Sequence, residues 1–150
     1  MNAAVMSTLL GQKVTDPYKY IKQGWQDTRP FMTGSLISAN MAHSVCVGTV
    51  IDVGVDDKNR LYSVTIEYEY LTWIRYCLLD SCSVKLGDKI TKGAEIGKPH
   101  NGILRFEYCN NEASTFPVRI DYRCLYKQDP MVVLSGDLEL PDNSEDTDNE

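Results

Sequence analysis

Val84-Lys-Leu-Gly-Asp-Lys-Ile-Thr-Lys-Gly-Ala-Glu-Ile-Gly97 and, a few residues on, Gly102-Ile-Leu-Arg-Phe-Glu-Tyr108 decide how this chain is read. Gly87-Asp88 and Lys92-Gly93 are turn dipeptides, with glycine where the backbone is expected to need a positive φ. They punctuate two very short strands, Lys89-Ile90 and Glu95-Ile96, and Gly102 to Cys109 then reads as a longer one. Tight turns between minimal strands mark a β domain assembled from short pieces.

Working outward, Ser44 to Val53 is rich in Val, Ile and Cys and reads as a buried strand, ended by Gly54 and the polar turn Asp56 to Arg60. Leu61 to Tyr68 alternates as a half-buried strand should, and Thr72 to Leu79 is its hairpin partner. Gln12 to Asn40 carries prolines, glycines and scattered polar residues, so it is expected to be mostly loop with short extended pieces. Pro117 to Leu125 and Met131 to Leu134 are expected to add one edge strand each, and no segment shows a helical period. The expected fold is mainly β, an antiparallel β sandwich or barrel of short strands with little helix.

At 150 residues the chain forms one domain, long enough to bury roughly two thirds of the surface its unfolded form exposes. The formal charge of −6 is uneven: Asp137 to Glu150 holds seven acids and no base, leaving the body near +1. The layout is therefore an N-terminal extension (1–13), a β domain (14–136) and an acidic tail (137–150) too polar to order itself. A near-neutral body without clustered Lys or Arg has no electrostatic footprint for nucleic acid. No stretch approaches the roughly 20 apolar residues of a membrane span. Cys46, Cys77, Cys82, Cys109 and Cys124 form an odd set without a Cys-x-x-Cys pair and read as reduced, buried thiols. With the N-terminus lacking a basic leader, synthesis in the cytoplasm is expected.

Val84 to Gly97 together with Phe106-Glu107 resembles the lysostaphin-type, or LytM-like, peptidoglycan endopeptidases, in which a Gly-Asp turn and a Lys-Gly turn precede a strand carrying His-Leu-His-Phe-Glu. The resemblance extends over roughly Val14 to Leu134. Gly48 to Gly54 is similar to the family's first core strand, Tyr76-Cys-Leu-Leu79 to its Tyr-Ala-His-Leu element, and Asp129-Pro130 to a closing Asp-Pro. Biotinyl and lipoyl carrier domains share such turns, but the exposed lysine they modify between two strands is missing here. The resemblance implies a lysostaphin-like β fold and, in an active member, a zinc ion held by His-x-x-x-Asp and the second histidine of His-x-His.

Aligned on Gly34, the first motif puts Met32 and Leu36 in ligand places, and the second puts Arg105 in the remaining one. Ile103 stands for the general base, and Leu78 for the oxyanion-stabilising histidine. A catalytic zinc needs three protein ligands and an open position. Aliphatic side chains and a thioether do not supply them, and a guanidinium that never deprotonates repels the cation. Arg105 is instead expected to pair with a carboxylate. The resemblance thus implies a pseudoenzyme without cofactor or metal.

His100 and Cys77 lie near this relic site but read as an exposed turn histidine and a core cysteine rather than substitute ligands, and His43 reads as a surface residue. Tyr68, Tyr70, Trp73 and Tyr76 are candidate aromatics for a groove taking sugar or peptide, although aromatics alternating along strands more often divide between core and surface. Asp16, Asp27 and Asp52 have no partner in sequence and no assigned role. The expected function is a non-catalytic structural or interaction protein, a bacteriophage virion component of tail tip, knob or baseplate, with other tail proteins as partners and weak contact with cell-wall glycan. The alternatives are a regulatory pseudoenzyme that activates a cell-wall hydrolase, and a residual glycan-binding module.

Overall fold

Ten strands form one mixed-length antiparallel sheet in a computed structural model that describes residues 2–24, 34–70, 72–110, 127–138 and 140–141. The strands are β1 (Ile21–Gln23), β2 (Ser35–Ser38), β3 (Ala42–His43), β4 (Gly48–Val55), β5 (Tyr62–Glu69), β6 (Thr72–Cys82), β7 (Lys89–Ile90), β8 (Glu95–Pro99), β9 (Ile103–Asn110) and β10 (Lys127–Gln128). Their order is β1-β2-β9-β6-β5-β4-β7, with β8 joined to β6 and β3, and β10 to β9. The expected β architecture of short strands is what forms, and the hairpin of β5 and β6 falls where alternation and turn residues put it, whereas the strand expected over Ser44 to Val53 begins only at Gly48 and runs through Gly54 to Val55. Gln12 to Asn40 contributes a 3-10 turn (Pro17–Tyr20) besides β1 and β2.

Alternation along the strands separates two faces. Val64, Ile66, Ile74, Tyr76, Leu104 and Phe106 point into one core with Ile37, Leu79 and Ile96. Tyr76 and Phe106, directly paired across β6 and β9, meet edge to face with centroids 5.6 Å apart. The buried Tyr76 hydroxyl accepts the Val45 N–H at 3.1 Å, so the ring enters the core without stranding its polar end.

Two helices close that core where none is expected from sequence. Helix α1 (Ala3–Leu10) begins at Asn2, whose side chain accepts from the Ala4 and Val5 N–H groups at 2.7 and 3.2 Å. It ends at Gly11, whose φ of 69° lets its N–H reach Ser7 O. Met6, Leu9 and Leu10 are buried, so the segment expected as an N-terminal extension supplies part of the core. Eight residues are barely two turns, too few for a 3.6-residue period to stand out.

Met131 to Leu134, expected as an edge strand, is the short helix α2 (Met131–Leu134). Asp129 Oδ1 accepts the Met131 N–H at 2.9 Å and Pro130 sets the entry, start signals that outweigh the β-branched Val132 and Val133. Asn2 N–H donates to Leu134 O at 2.9 Å, and Leu138 and Leu140, at the head of the acidic tail, pack on the same core. The expected strand at Pro117 to Leu125 lies outside the described residues.

Cysteine usage departs from expectation too. Cys46, Cys77 and Cys82 are free thiols, but Cys109 is disulfide-bonded, its partner lying outside the described residues. An odd count of five still leaves room for bridges, and nothing in the spacing showed which cysteines the sheet brings together. No helix among the described residues is long and apolar enough to cross a membrane.

Candidate functional site

The face of the sheet opposite the core is charged. On β9 the residues Ile103, Arg105 and Glu107 share it, and register brings Cys77 and Arg75 of β6 opposite Arg105 and Glu107. Thr65 of β5 lies beside Arg75, Asp52 of β4 lies beside Thr65, and Leu36 of β2 pairs with Arg105 from the other side. Gly34 approaches this floor so closely that a Cβ there would stand 2.9 Å from Glu107 Cγ and 3.0 Å from Arg105 Cγ.

Glu107, only 2% exposed, is held between two arginines: Arg105 Nε lies 2.9 Å from Oε2 and Arg75 Nη1 3.9 Å from Oε1. Arg75 also approaches Asp52 at 3.8 Å and donates from Nε to Thr65 Oγ1 at 3.1 Å. The Arg105–Glu107 contact is close but poorly aligned for a hydrogen bond, so it is an ion pair by charge rather than by fork geometry. Burial opposes the Arg105 charge, but the neighbouring Cys77 and Glu107 outweigh that cost and leave its pKa raised. The expected pairing of Arg105 with a carboxylate is thus present in the geometry. Asp52, assigned no role from sequence, is part of the network because the sheet places it on β4, two strands from Arg75 on β6.

Above this floor lies an open cleft of about 410 Å³, walled by Asp52, Asp56 and Asn59 on the β4 side and by Cys77, Leu78 and Arg105 on the other. Leu78 adopts φ 70° at a bulge, where Tyr62 pairs with Leu79 and Ser63 with Cys77 and one residue of β6 is left over. A left-handed leucine costs roughly 1–2 kcal/mol, which the surrounding ladder holds in place.

Of the five relic positions, Leu36 and Arg105 are a cross-strand pair, Leu78 and Arg105 share the cleft wall, and Ile103 is on the same strand face two residues from Arg105. Met32 lies outside the described residues. The four aromatics do not come together. Tyr76 and Tyr68 pack on the core side, Trp73 is buried against Ile51 and the disulfide-bonded Cys109, and Tyr70 stands exposed at the hairpin turn. Alternation already separates Trp73 from Tyr76, three residues apart on β6 and so on opposite faces of the sheet.

His100 is the exposed turn histidine expected, in a 3-10 turn (His100–Gly102) with its Nδ1 2.8 Å from Asp80 Oδ1. His43 is not the surface residue expected. Its ring packs on Gly11, at the end of α1, with Nδ1 buried.

The antiparallel sheet with few helices matches the fold of the lysostaphin-type peptidase domains. The chain is similar to the antimicrobial peptidase lysostaphin from Staphylococcus simulans, with a TM-score of 0.60 and 20% identity over 78% of this chain and 50% of that one. It is similar to LytU, with a TM-score of 0.58 and 18% identity over 84% and 89% of the two chains. It is similar also to the catalytic domain of the prophage-encoded protein EnpA from Enterococcus faecalis, with a TM-score of 0.58 and 17% identity over 75% and 88%. The chain spans about half the length of lysostaphin. No family model matches the sequence, and no curated protein sequence matches it.

At such identities the likeness is one of fold, and chemistry has to be read from the side chains here. Zinc does not fit them. Leu36, Leu78 and Ile103 offer no donor atom, and Arg105 brings its own positive charge to a floor whose buried carboxylate it already neutralises. Among the described residues no three His, Cys, Asp or Glu side chains are grouped as metal ligands.

Proposed function

We propose that this chain is a non-catalytic structural or interaction protein built on the lysostaphin-type scaffold, serving as a bacteriophage virion component of tail tip, knob or baseplate. One observation carries the reading: Leu36 faces Arg105 across β2 and β9, and Arg105 is ion-paired to the buried Glu107. A hydrolytic centre at that place would need ligands and an activated water, and the side chains there are built to keep a cation out. The phage setting is supported by the same fold in a prophage-encoded protein. A disulfide at Cys109 suits a part that ends outside a reducing cytosol. Its partners are then other tail proteins, with no role for nucleic acid or membrane.

The test is location and content. Labelling the chain in purified particles by electron microscopy should place it at the tail end, and the isolated protein should carry no stoichiometric zinc and leave peptidoglycan intact. Zinc bound at one per chain together with wall hydrolysis would overturn the reading.

The retained cleft favours a second reading, a regulatory pseudoenzyme or residual glycan-binding module that still engages cell-wall material. Tyr62 is the aromatic in the cleft wall, and cell-wall pull-down should be weaker for the Tyr62→Ala variant than for the parent, equal recovery counting against this reading.

A further inference from the structure

The two arginines of the cleft floor are not equally engaged. Arg75 has two carboxylates and a threonine hydroxyl around it, whereas Arg105 has, among the described residues, only Glu107 behind its Nε and the Cys77 thiol. A guanidinium carries five N–H donors in a planar fork. The side chain of Arg105 is 28% exposed and its Nε is buried, so the accessible part is the outer, amino end, in the wall of the cleft. A half-buried, always-charged fork with unspent donors is matched by a carboxylate taken two-pronged.

The opposite wall has the opposite sign. Asp56 spends Oδ1 on the Lys58 and Asn59 N–H groups at 2.8 and 3.4 Å, leaving Oδ2 without a partner among the described residues. Asp52 lies on the same side but is already paired with Arg75, which also lines the cleft. Asp56 is therefore the acid left on that wall to favour a ligand with a positive end. Strands β9 and β4 are three sheet spacings apart, about 14 Å, and arginine and aspartate side chains shorten that gap. A tripeptide spans at most about 10 Å.

We infer that this cleft binds the two free ends of a short peptide, its terminal carboxylate on Arg105 and its terminal amine at Asp56. The inference deepens the non-catalytic reading and rests on it, because a peptide held by its ends is retained, not cut.

Trialanine, its C-terminal amide and its N-acetylated form, titrated calorimetrically in chelator-containing buffer, test it directly. Trialanine should bind, and amidation should weaken binding at least tenfold, the scale of losing a charge-assisted hydrogen bond of about 1.5–3 kcal/mol. N-acetylation should weaken it about threefold, a rim charge being worth less. Arg105→Gln should make acid and amide equivalent, and Arg105→Lys, which keeps the charge beside Glu107 and so protects the fold, should keep only part of the preference. Asp56→Asn, which preserves the turn, should erase the effect of N-acetylation alone. Equal binding of acid and amide, or no binding of trialanine at about 10 mM, a concentration that detects even millimolar affinity, would overturn the inference. Cleavage of the peptide, read by mass spectrometry of the same samples, would instead sink the non-catalytic reading.

Discussion

The two faces of β9 are a controlled comparison within one strand: Leu104, Phe106 and Tyr108 look into a dry core, and Ile103, Arg105 and Glu107 lie on the opposite, charged face, Arg105 in the cleft wall and Glu107 buried beneath it. Neighbouring residues therefore live in different solvents. On the core side the stabilising term is apolar area with one satisfied hydroxyl. On the cleft side two guanidinium groups and two carboxylates hold each other, and any single removal leaves a partner stranded. The core side tolerates loss gradually, while the cleft side depends on every member of a set.

The largest effect is expected from Phe106→Ala, which removes the edge-to-face partner of Tyr76 and leaves a cavity at a fully buried site. Chemical denaturation should show a loss of about 3–5 kcal/mol. Glu107→Gln, the adjacent change on the opposite face, keeps shape and removes only charge. It leaves Arg75 and Arg105 facing each other across the floor and should cost about 3 kcal/mol, with the loss shrinking as salt screens the two cations. If Glu107→Gln proved neutral, the cleft floor would have to be read as solvated surface rather than as a coupled network.

Much of the core side was legible in the sequence, and less of the cleft side. The alternation of Leu61 to Tyr68 and the turns at Gly87 and Gly93 carry strand positions directly, because a period of two and a positive φ are local properties. Anchoring on Gly34 and on Phe106-Glu107 separately put Leu36 and Arg105 in ligand places, and their cross-strand pairing is visible only in the structure, where Glu107 and Arg105 lie against the Gly34 Cα. Arg75 was invisible as a site residue: its partners Asp52 and Glu107 come from strands on either side, and nothing local ties them. The α1 helix was missed for the opposite reason, since its signals, Asn2 and Gly11, are caps at the ends of a segment too short to show a period.

Gly11→Ala tests how far that helix belongs to the core side. The new Cβ meets the His43 ring and the backbone stays at φ 69°, so a loss of about 1–2 kcal/mol is expected. Thermal unfolding is the measurement, and an unchanged midpoint would mean that α1 contributes nothing to the cooperative unit.

The dryness of the core side can also be titrated. Burial pushes the Cys46 thiol up to about 12, the Ser44 hydroxyl and Lys92 offsetting only part of it. The folded thiol resists ionisation while the unfolded one ionises near its ordinary value. The associated stability is therefore complete below about pH 9 and is lost at about 1.4 kcal/mol per pH unit as the pH climbs toward 12. Cys46→Ala should flatten that part of the profile relative to the parent protein, and identical slopes for the two would place Cys46 in contact with water.

The smallest effect is expected at Leu78, where the cleft side stores backbone strain instead of burying area. Leu78→Gly relieves the left-handed conformation, worth roughly 1–2 kcal/mol, and gives up a half-buried side chain and some unfolded-state entropy of similar size. The net change should stay within about 1 kcal/mol, whereas Leu79→Ala, one residue along and fully buried on the core side, should cost about 2–5 kcal/mol. Should the two variants lose equal stability, the bulge would be packing as core does, and the separation of one strand into a dry face and a charged face would fail at the residue where it is drawn most narrowly.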